Sequence, residues 1–195
     1  MNKTVEFFFD FGSPASYLAW TQLPRIAKAQ GAQIIWRPML LGGVFKATGN
    51  QSPVLIPSKG RWMLQDLARF AARYDVPMQF NPHFPINTLT LMRGAAGYEN
   101  SEQFARYVQV MFEALWTQQK NLSKPEVVAQ VLSAAGFDPA EFEQLVNDET
   151  VKDRLKATTE EAIKRGVFGA PTFFIGTEMH FGQDRLDFVA DALTR

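Results

Sequence analysis

Ser13 and Ser16 stand where the apolar run "TVEFFFDF" gives way to a helical pattern, with only Pro14 and Ala15 between them. A thiol-disulfide enzyme would carry a cysteine pair at such a junction, yet the chain has no cysteine. That removes disulfides, thiolate metal ligands and cysteine nucleophiles together, so any thiol chemistry needs a thiol brought from outside. Only two histidines are present, His83 and His180, and no metal site is expected. By itself Ser13 reads as a helix N-cap, worth about 1 kcal/mol. Other polar residues have equally ordinary readings. Asn50 follows Gly49 in a turn, Lys59 is a surface charge, and Gln183-Asp184 precede and could cap the last helix. Pro171 could simply start an edge strand.

The elements that must position these residues follow from periodicity. "TVEFFFDF" is a strand buried on both faces, ended by a Gly-Ser-Pro turn. From Ala15 to about Gln30, Tyr17, Leu18, Leu23, Ile26 and Ala27 recur at helical spacing, with Gly31 as the stop. "QIIWRPML" is a second strand ended by Pro38, so the chain opens with a right-handed βαβ unit whose strands lie parallel. From about Gly42 to Arg165 a loop leads into about five or six helices without an intervening strand. One carries Trp62, Leu64, Leu67, Phe70, Ala71 and Tyr74 as an apolar stripe. Trp62, Trp116 and Phe112 all read as core, and His83 as an exposed loop histidine. Ser123 with Glu126 forms a capping box, and Asp138 caps a helix that begins at Pro139. After Gly169 come "PTFFI" and "EMHF", joined by the two-residue turn Gly176-Thr177, and then a short amphipathic helix.

Among 195 residues, 46% are hydrophobic and 13% aromatic, enough for a packed core. Lys plus Arg and Asp plus Glu number 20 each, so no net field favours nucleic acid or an anionic membrane. No apolar stretch approaches the roughly 20 residues of a membrane helix, and "MNKTVEFFFDF" enters a strand without a signal-peptide layout. A cytoplasmic location is expected.

The order βαβ, helices, ββα is that of the thioredoxin fold, with Ser13-Pro14-Ala15-Ser16 at the position of its Cys-x-x-Cys. "DFGSPASYLA", "GVFGAPTFFIG" and "GQDRLD", with "KATGN" and "IPSKGRWMLQDLAR" between them, resemble the 2-hydroxychromene-2-carboxylate isomerases and the kappa-class glutathione transferases. The resemblance spans nearly the whole chain. It implies an α/β, DsbA-like thioredoxin fold, with residues 1–41 and 166–195 forming the thioredoxin-like domain and 42–165 an inserted all-helical domain. It also implies a cis bond before Pro171, glutathione as cofactor, a small aromatic substrate and a homodimer.

In this reading glutathione brings the sulfur. Ser13 holds it as a thiolate, helped by the positive end of the helix. Ala170 pairs through its backbone with the cysteinyl part beside Pro171, and Gln183 and Asp184 meet the γ-glutamyl arm. Asn50 and Lys59 contact the rest of the cofactor, while Phe45 and Lys46 touch substrate. The activity implied is cis-trans isomerisation of 2-hydroxychromene-2-carboxylate-type compounds by reversible thiolate addition. A kappa-type transferase would use the same thiolate on an electrophile, and a DsbA-like binding module without catalysis would only grip a peptide near Pro171.

Overall fold

The computed structural model describes residues 3–195. Phe7, Phe8 and Phe9 are all fully buried, so β1 (Thr4–Phe9) is covered on both faces and lies centrally. It runs parallel to β2 (Gln33–Pro38), with Phe7 opposite Trp36, after the crossover helix α1 (Pro14–Ala29). On its other side it pairs antiparallel with β3 (Thr172–Ile175), which turns through Gly176 and Thr177 into β4 (Glu178–Phe181). Gly176 sits at φ +58°, a value that favours glycine at the first turn position. The strand order is β2-β1-β3-β4, and the expected βαβ and ββα units are both found.

Between β2 and β3 the chain forms seven α-helices, with a 3-10 turn at Pro53–Leu55 between the first two. They are α2 (Leu41–Thr48), α3 (Pro57–Tyr74), α4 (Leu89–Tyr98), α5 (Phe104–Trp116), α6 (Pro125–Ala134), α7 (Pro139–Asn147) and α8 (Glu149–Lys164). α9 (Leu186–Ala192) follows β4 and a single 3-10 turn at Gln183–Arg185. The helix count exceeds expectation because α2 occupies the segment read as a loop. Its Gly42-Gly43 pair has poor helix propensity, and Leu40 provides no side-chain cap.

Two layers of core flank the sheet. Val5, Phe7 and Phe9 join Phe11, Tyr107, Phe112 and Trp116 in the larger one, where Phe7 stacks on Phe173 at 5.2 Å and Phe11 meets Phe112 edge-on at 4.9 Å. Phe8 and Phe174 face the other way, packing with Met39, Val44, Ala162 and Val167 beneath α2 and α8. The Arg165 guanidinium lies 3.7 Å above the Phe174 ring and grips Glu6 through two bonds of 2.7 and 3.0 Å.

Three local readings need comment. Asp138 caps α7 as expected, accepting from Ala140 N at 2.8 Å. The Ser123–Glu126 capping box does not form. Pro125 fixes the first helical position of α6 and makes Lys124 the flanking residue, so Ser123 lies one residue too early and its hydroxyl donates to Asn121 Oδ1. Trp62 is 60% exposed rather than core, because α3 buries its stripe further along, at Leu67 and Ala71. Trp116 and Phe112 are core. No helix among the described residues is long and apolar enough to cross a membrane.

Candidate functional site

Ser13 lies between the end of β1 and the start of α1, and it touches the far end of the chain. Its Oγ accepts from Ser16 N at 3.1 Å, as an N-cap should, and donates to the Ala170 carbonyl at 2.9 Å. The Ala170–Pro171 peptide bond is cis. Cap and contact across the junction therefore coexist in one hydroxyl. Its proton points at Ala170, while the Ala170 N–H makes no hydrogen bond among the described residues. Ser16 is fully buried, and its own hydroxyl has no hydrogen-bond partner among the described residues.

The loop that presents Ser13 is held by Asp10, the one acid in the phenylalanine run. Asp10 is 1% exposed. Its Oδ1 accepts from Gly12 N at 2.8 Å and Thr88 Oγ1 at 2.7 Å, and its Oδ2 accepts from Leu41 N at 2.8 Å. Burial pushes its carboxyl above the usual value, and these three donors work against that shift. One carboxylate thus fixes the Ser13 loop to the starts of α2 and α4. The sequence reading gave Asp10 no role, although a lone acid inside "FFFDF" was the available signal.

Gln183 and Asp184 reach the same junction by a different route. Gly182 N donates to the Pro171 carbonyl at 3.0 Å, which draws the 3-10 turn against the cis-proline loop. Gly182 has φ +98°, a conformation that favours glycine, and a Cβ there would come within 2.3 Å of the Asp184 carboxylate and push that side chain aside. Neither Gln183 nor Asp184 caps α9 through its side chain. Gln183 is buried, and its carbonyl accepts from Tyr74 Oη at 2.8 Å. Burial is the main cause that raises the Tyr74 phenol to about 12, so it remains a donor. Tyr74 was read only as part of an apolar stripe, because a contact to a residue 109 positions away leaves no trace in helical spacing. The Asp184 carboxylate is half-exposed and pairs with Arg185.

Asn50 donates from Nδ2 to the Phe168 carbonyl at 2.8 Å, joining the residues after α2 to the loop before Pro171. Lys59, in the first turn of α3, and Lys46, on α2, are exposed and form no ion pair among the described residues. Phe45 is half-buried and lies one turn beyond Leu41, the residue anchored by Asp10. No hydrogen bond ties Lys46 or Lys59 to Ser13. Ser13, Ala170, Pro171, Gln183 and Asp184 thus form one connected group, with Asn50 at its edge.

The donor set suits a tripeptide thiol such as glutathione. Ala170 N–H is an open strand-like donor at the junction, and Asp184 carries a half-exposed carboxylate close in sequence to Gly182, which is bonded to Pro171. The described residues contain no cluster of three or more side chains suited to hold a metal ion.

A thioredoxin sheet, a cis-proline loop and a serine at the helix start define a class. The chain belongs to the family of the DSBA-like thioredoxin domain, whose model it matches over residues 4–194. Among its relatives is the 2-hydroxychromene-2-carboxylate isomerase of Pseudomonas putida, 34% identical over 193 residues that cover 98% of this chain and 94% of that protein. Glutathione S-transferase kappa 1 of Rattus norvegicus is 30% identical over 202 residues, covering 96% and 89% of the two chains. A solved structure of a 2-hydroxychromene-2-carboxylate isomerase superposes with a TM-score of 0.87 at 33% identity, over 97% of this chain and 94% of that one. A probable DsbA oxidoreductase from Streptomyces coelicolor shares the fold, with a TM-score of 0.75 at 16% identity and coverage of 99% and 89%.

Proposed function

We propose that this protein binds glutathione at the Ser13–Pro171 junction and uses it to isomerise aromatic catabolites of the 2-hydroxychromene-2-carboxylate type. One observation carries the reading: the Ser13 hydroxyl lies 2.9 Å from the carbonyl preceding cis-Pro171, in a chain that has no thiol of its own. Glutathione supplies a thiolate that adds reversibly to the conjugated double bond, permits rotation about it and is regenerated on elimination.

The chain's own residues bind and orient. Ala170 N–H and C=O take up the cysteinyl backbone as a neighbouring strand would, which displaces the Ser13 hydroxyl from the Ala170 carbonyl and frees its proton for the sulfur. The N-terminus of α1 adds partial positive charge there. Asp184 receives the γ-glutamyl ammonium beside Gln183, and Lys59 and Asn50 meet the remainder of the cofactor. Phe45 packs on the aromatic ring of the substrate, and Lys46 meets its carboxylate.

The kinship with the kappa-class transferase of the rat supports a second reading, in which the same thiolate is consumed in a conjugate. The test measures glutathione binding by calorimetry, then follows a hydroxychromene carboxylate together with free thiol during turnover. Turnover with thiol conserved is the expected result. Thiol loss equal to product formed would make the protein a transferase, and failure to bind glutathione would overturn both readings.

A further inference from the structure

Arg185 is the residue of the Gln183–Arg185 turn left without a part in glutathione binding. Gly182 N donates to the Pro171 carbonyl at 3.0 Å, so the turn begins against the cis-proline loop. Asp184 Oδ1 folds back over that glycine, lying where a side chain on Gly182 would start, and Asp184 Oδ2 pairs with Arg185 Nη1. An anion and a cation therefore stand side by side next to Pro171. Both side chains keep contact with solvent, at 39% and 50% exposure, so a ligand can reach them. Among the described residues Arg185 has no other ion-pair partner. The surroundings are otherwise acidic. After burial, Asp187 and Asp184 both push up the phenol of Tyr74, whose Oη donates to the Gln183 carbonyl at 2.8 Å. Arg73, the other cation close to Tyr74, is held over the Phe70 ring at 5.4 Å.

A γ-glutamyl group carries its ammonium and its α-carboxylate on one carbon atom. Whichever acid receives the ammonium must have the carboxylate close beside it, and two like charges at that range repel unless a cation stands with them. We propose that Asp184 and Arg185 form a clamp for this zwitterion, the ammonium pairing with Asp184 and the carboxylate with Arg185, and that Arg185 selects thiols bearing a free α-amino acid end. The inference rests on glutathione binding at the Ser13–Pro171 junction and adds the residue that decides which thiol is taken. In the structure the two side chains satisfy each other, and the zwitterion replaces one ion pair by two without leaving a charge unpaired. A thiol with only one of the two charges strands the side chain that would have met the other, and the clamp disfavours it.

The test is calorimetry with glutathione and two analogues: γ-aminobutyryl-Cys-Gly, which lacks the α-carboxylate, and glutaryl-Cys-Gly, which lacks the ammonium. Wild type should bind glutathione about tenfold more tightly than either. Arg185→Met should weaken glutathione about tenfold yet bind the aminobutyryl analogue at least as tightly as wild type, because Asp184 is then free for the ammonium. Asp184→Ala should give the mirror result, with glutathione weakened and the glutaryl analogue held at least as tightly. Arg73→Met should bind all three as wild type does. The proposal is overturned if Arg185→Met binds glutathione as wild type does, if it weakens all three ligands alike, or if Arg73→Met carries the loss instead. Failure of wild type to bind glutathione would overturn the proposed activity and the clamp with it, whereas glutathione bound without regard to Arg185 overturns the clamp alone.

Discussion

Ser13→Ala removes one oxygen that serves two partners, and its effects on stability and on chemistry can be separated. Without ligand, the hydroxyl accepts from Ser16 N at 3.1 Å and donates to the Ala170 carbonyl at 2.9 Å. Loss of the cap costs about 1 kcal/mol, and loss of a neutral hydrogen bond costs about 1 kcal/mol more. For a chain of this size that lowers the melting temperature by roughly 4–8 °C. When glutathione binds, the hydroxyl exchanges the neutral carbonyl for a charged sulfur. A bond to a charged group contributes about 1.5–3 kcal/mol against about 1 for a neutral one, so the exchange favours thiolate by about 0.5–2 kcal/mol. The variant should therefore raise the bound thiol pKa by roughly 0.4–1.5 units. Activity at neutral pH should fall about threefold to thirtyfold and recover in alkali, where the thiol ionises without help. The assay is an ultraviolet titration of thiolate absorbance on the glutathione complex, beside a pH-rate profile and a thermal melt. If the melting temperature falls but the two titrations superimpose, Ser13 is a helix cap alone and the reasoning is refuted.

Three further outcomes follow from the site. Asp184→Ala should weaken glutathione about tenfold with little change in melting temperature, since its carboxylate is half-exposed and paired only with Arg185; unchanged calorimetric affinity would leave it with that pairing alone. Tyr74→Phe frees the Gln183 carbonyl from its 2.8 Å bond, and should weaken glutathione about fivefold without altering the rate at saturation; a rate loss with normal affinity would contradict a positioning role. Asp10 has its folded pKa raised above the ordinary 3.8, chiefly by burial, so its contribution to stability is fully present below that value and is lost as pH rises through the folded pKa. Asp10→Asn, which stays neutral, should gain in urea stability relative to wild type across that rise, and parallel stability curves would refute the assignment.

Local patterns carried much of the fold. The three buried phenylalanines of β1, the Gly176-Thr177 turn and the Asp138-Pro139 helix start each depend on residues next to one another, and each formed as read. The failures have local causes too. Pro125 took the first position of α6 and left Ser123 outside the cap, while α2 formed across Gly42-Gly43 because its first amide is anchored on Asp10. The site was legible in part. Ser13 and Pro171 were recognisable from their junctions, and the structure brings them together. The links from Tyr74 to Gln183 and from Thr88 to Asp10 were not legible, since they join residues 109 and 78 positions apart and depend on the finished packing.

The pairing of β1 with both β2 and β3 also sets a timetable for synthesis. Phe8 finds its first neighbour, Arg37, soon after leaving the ribosome, but its second, Thr172, comes near the end of the chain. At about 5–20 residues per second, the other edge of a three-phenylalanine strand waits roughly ten to thirty seconds for its cover. Such an edge is a template for wrong partners. The helices made during that interval include α5, which brings Phe112 and Trp116 against Phe9 and Phe11. The long helical stretch therefore covers one apolar face of the nascent strand while its edge still waits for β3, and shortening it should raise aggregation during expression more than it lowers the stability of whatever protein is recovered.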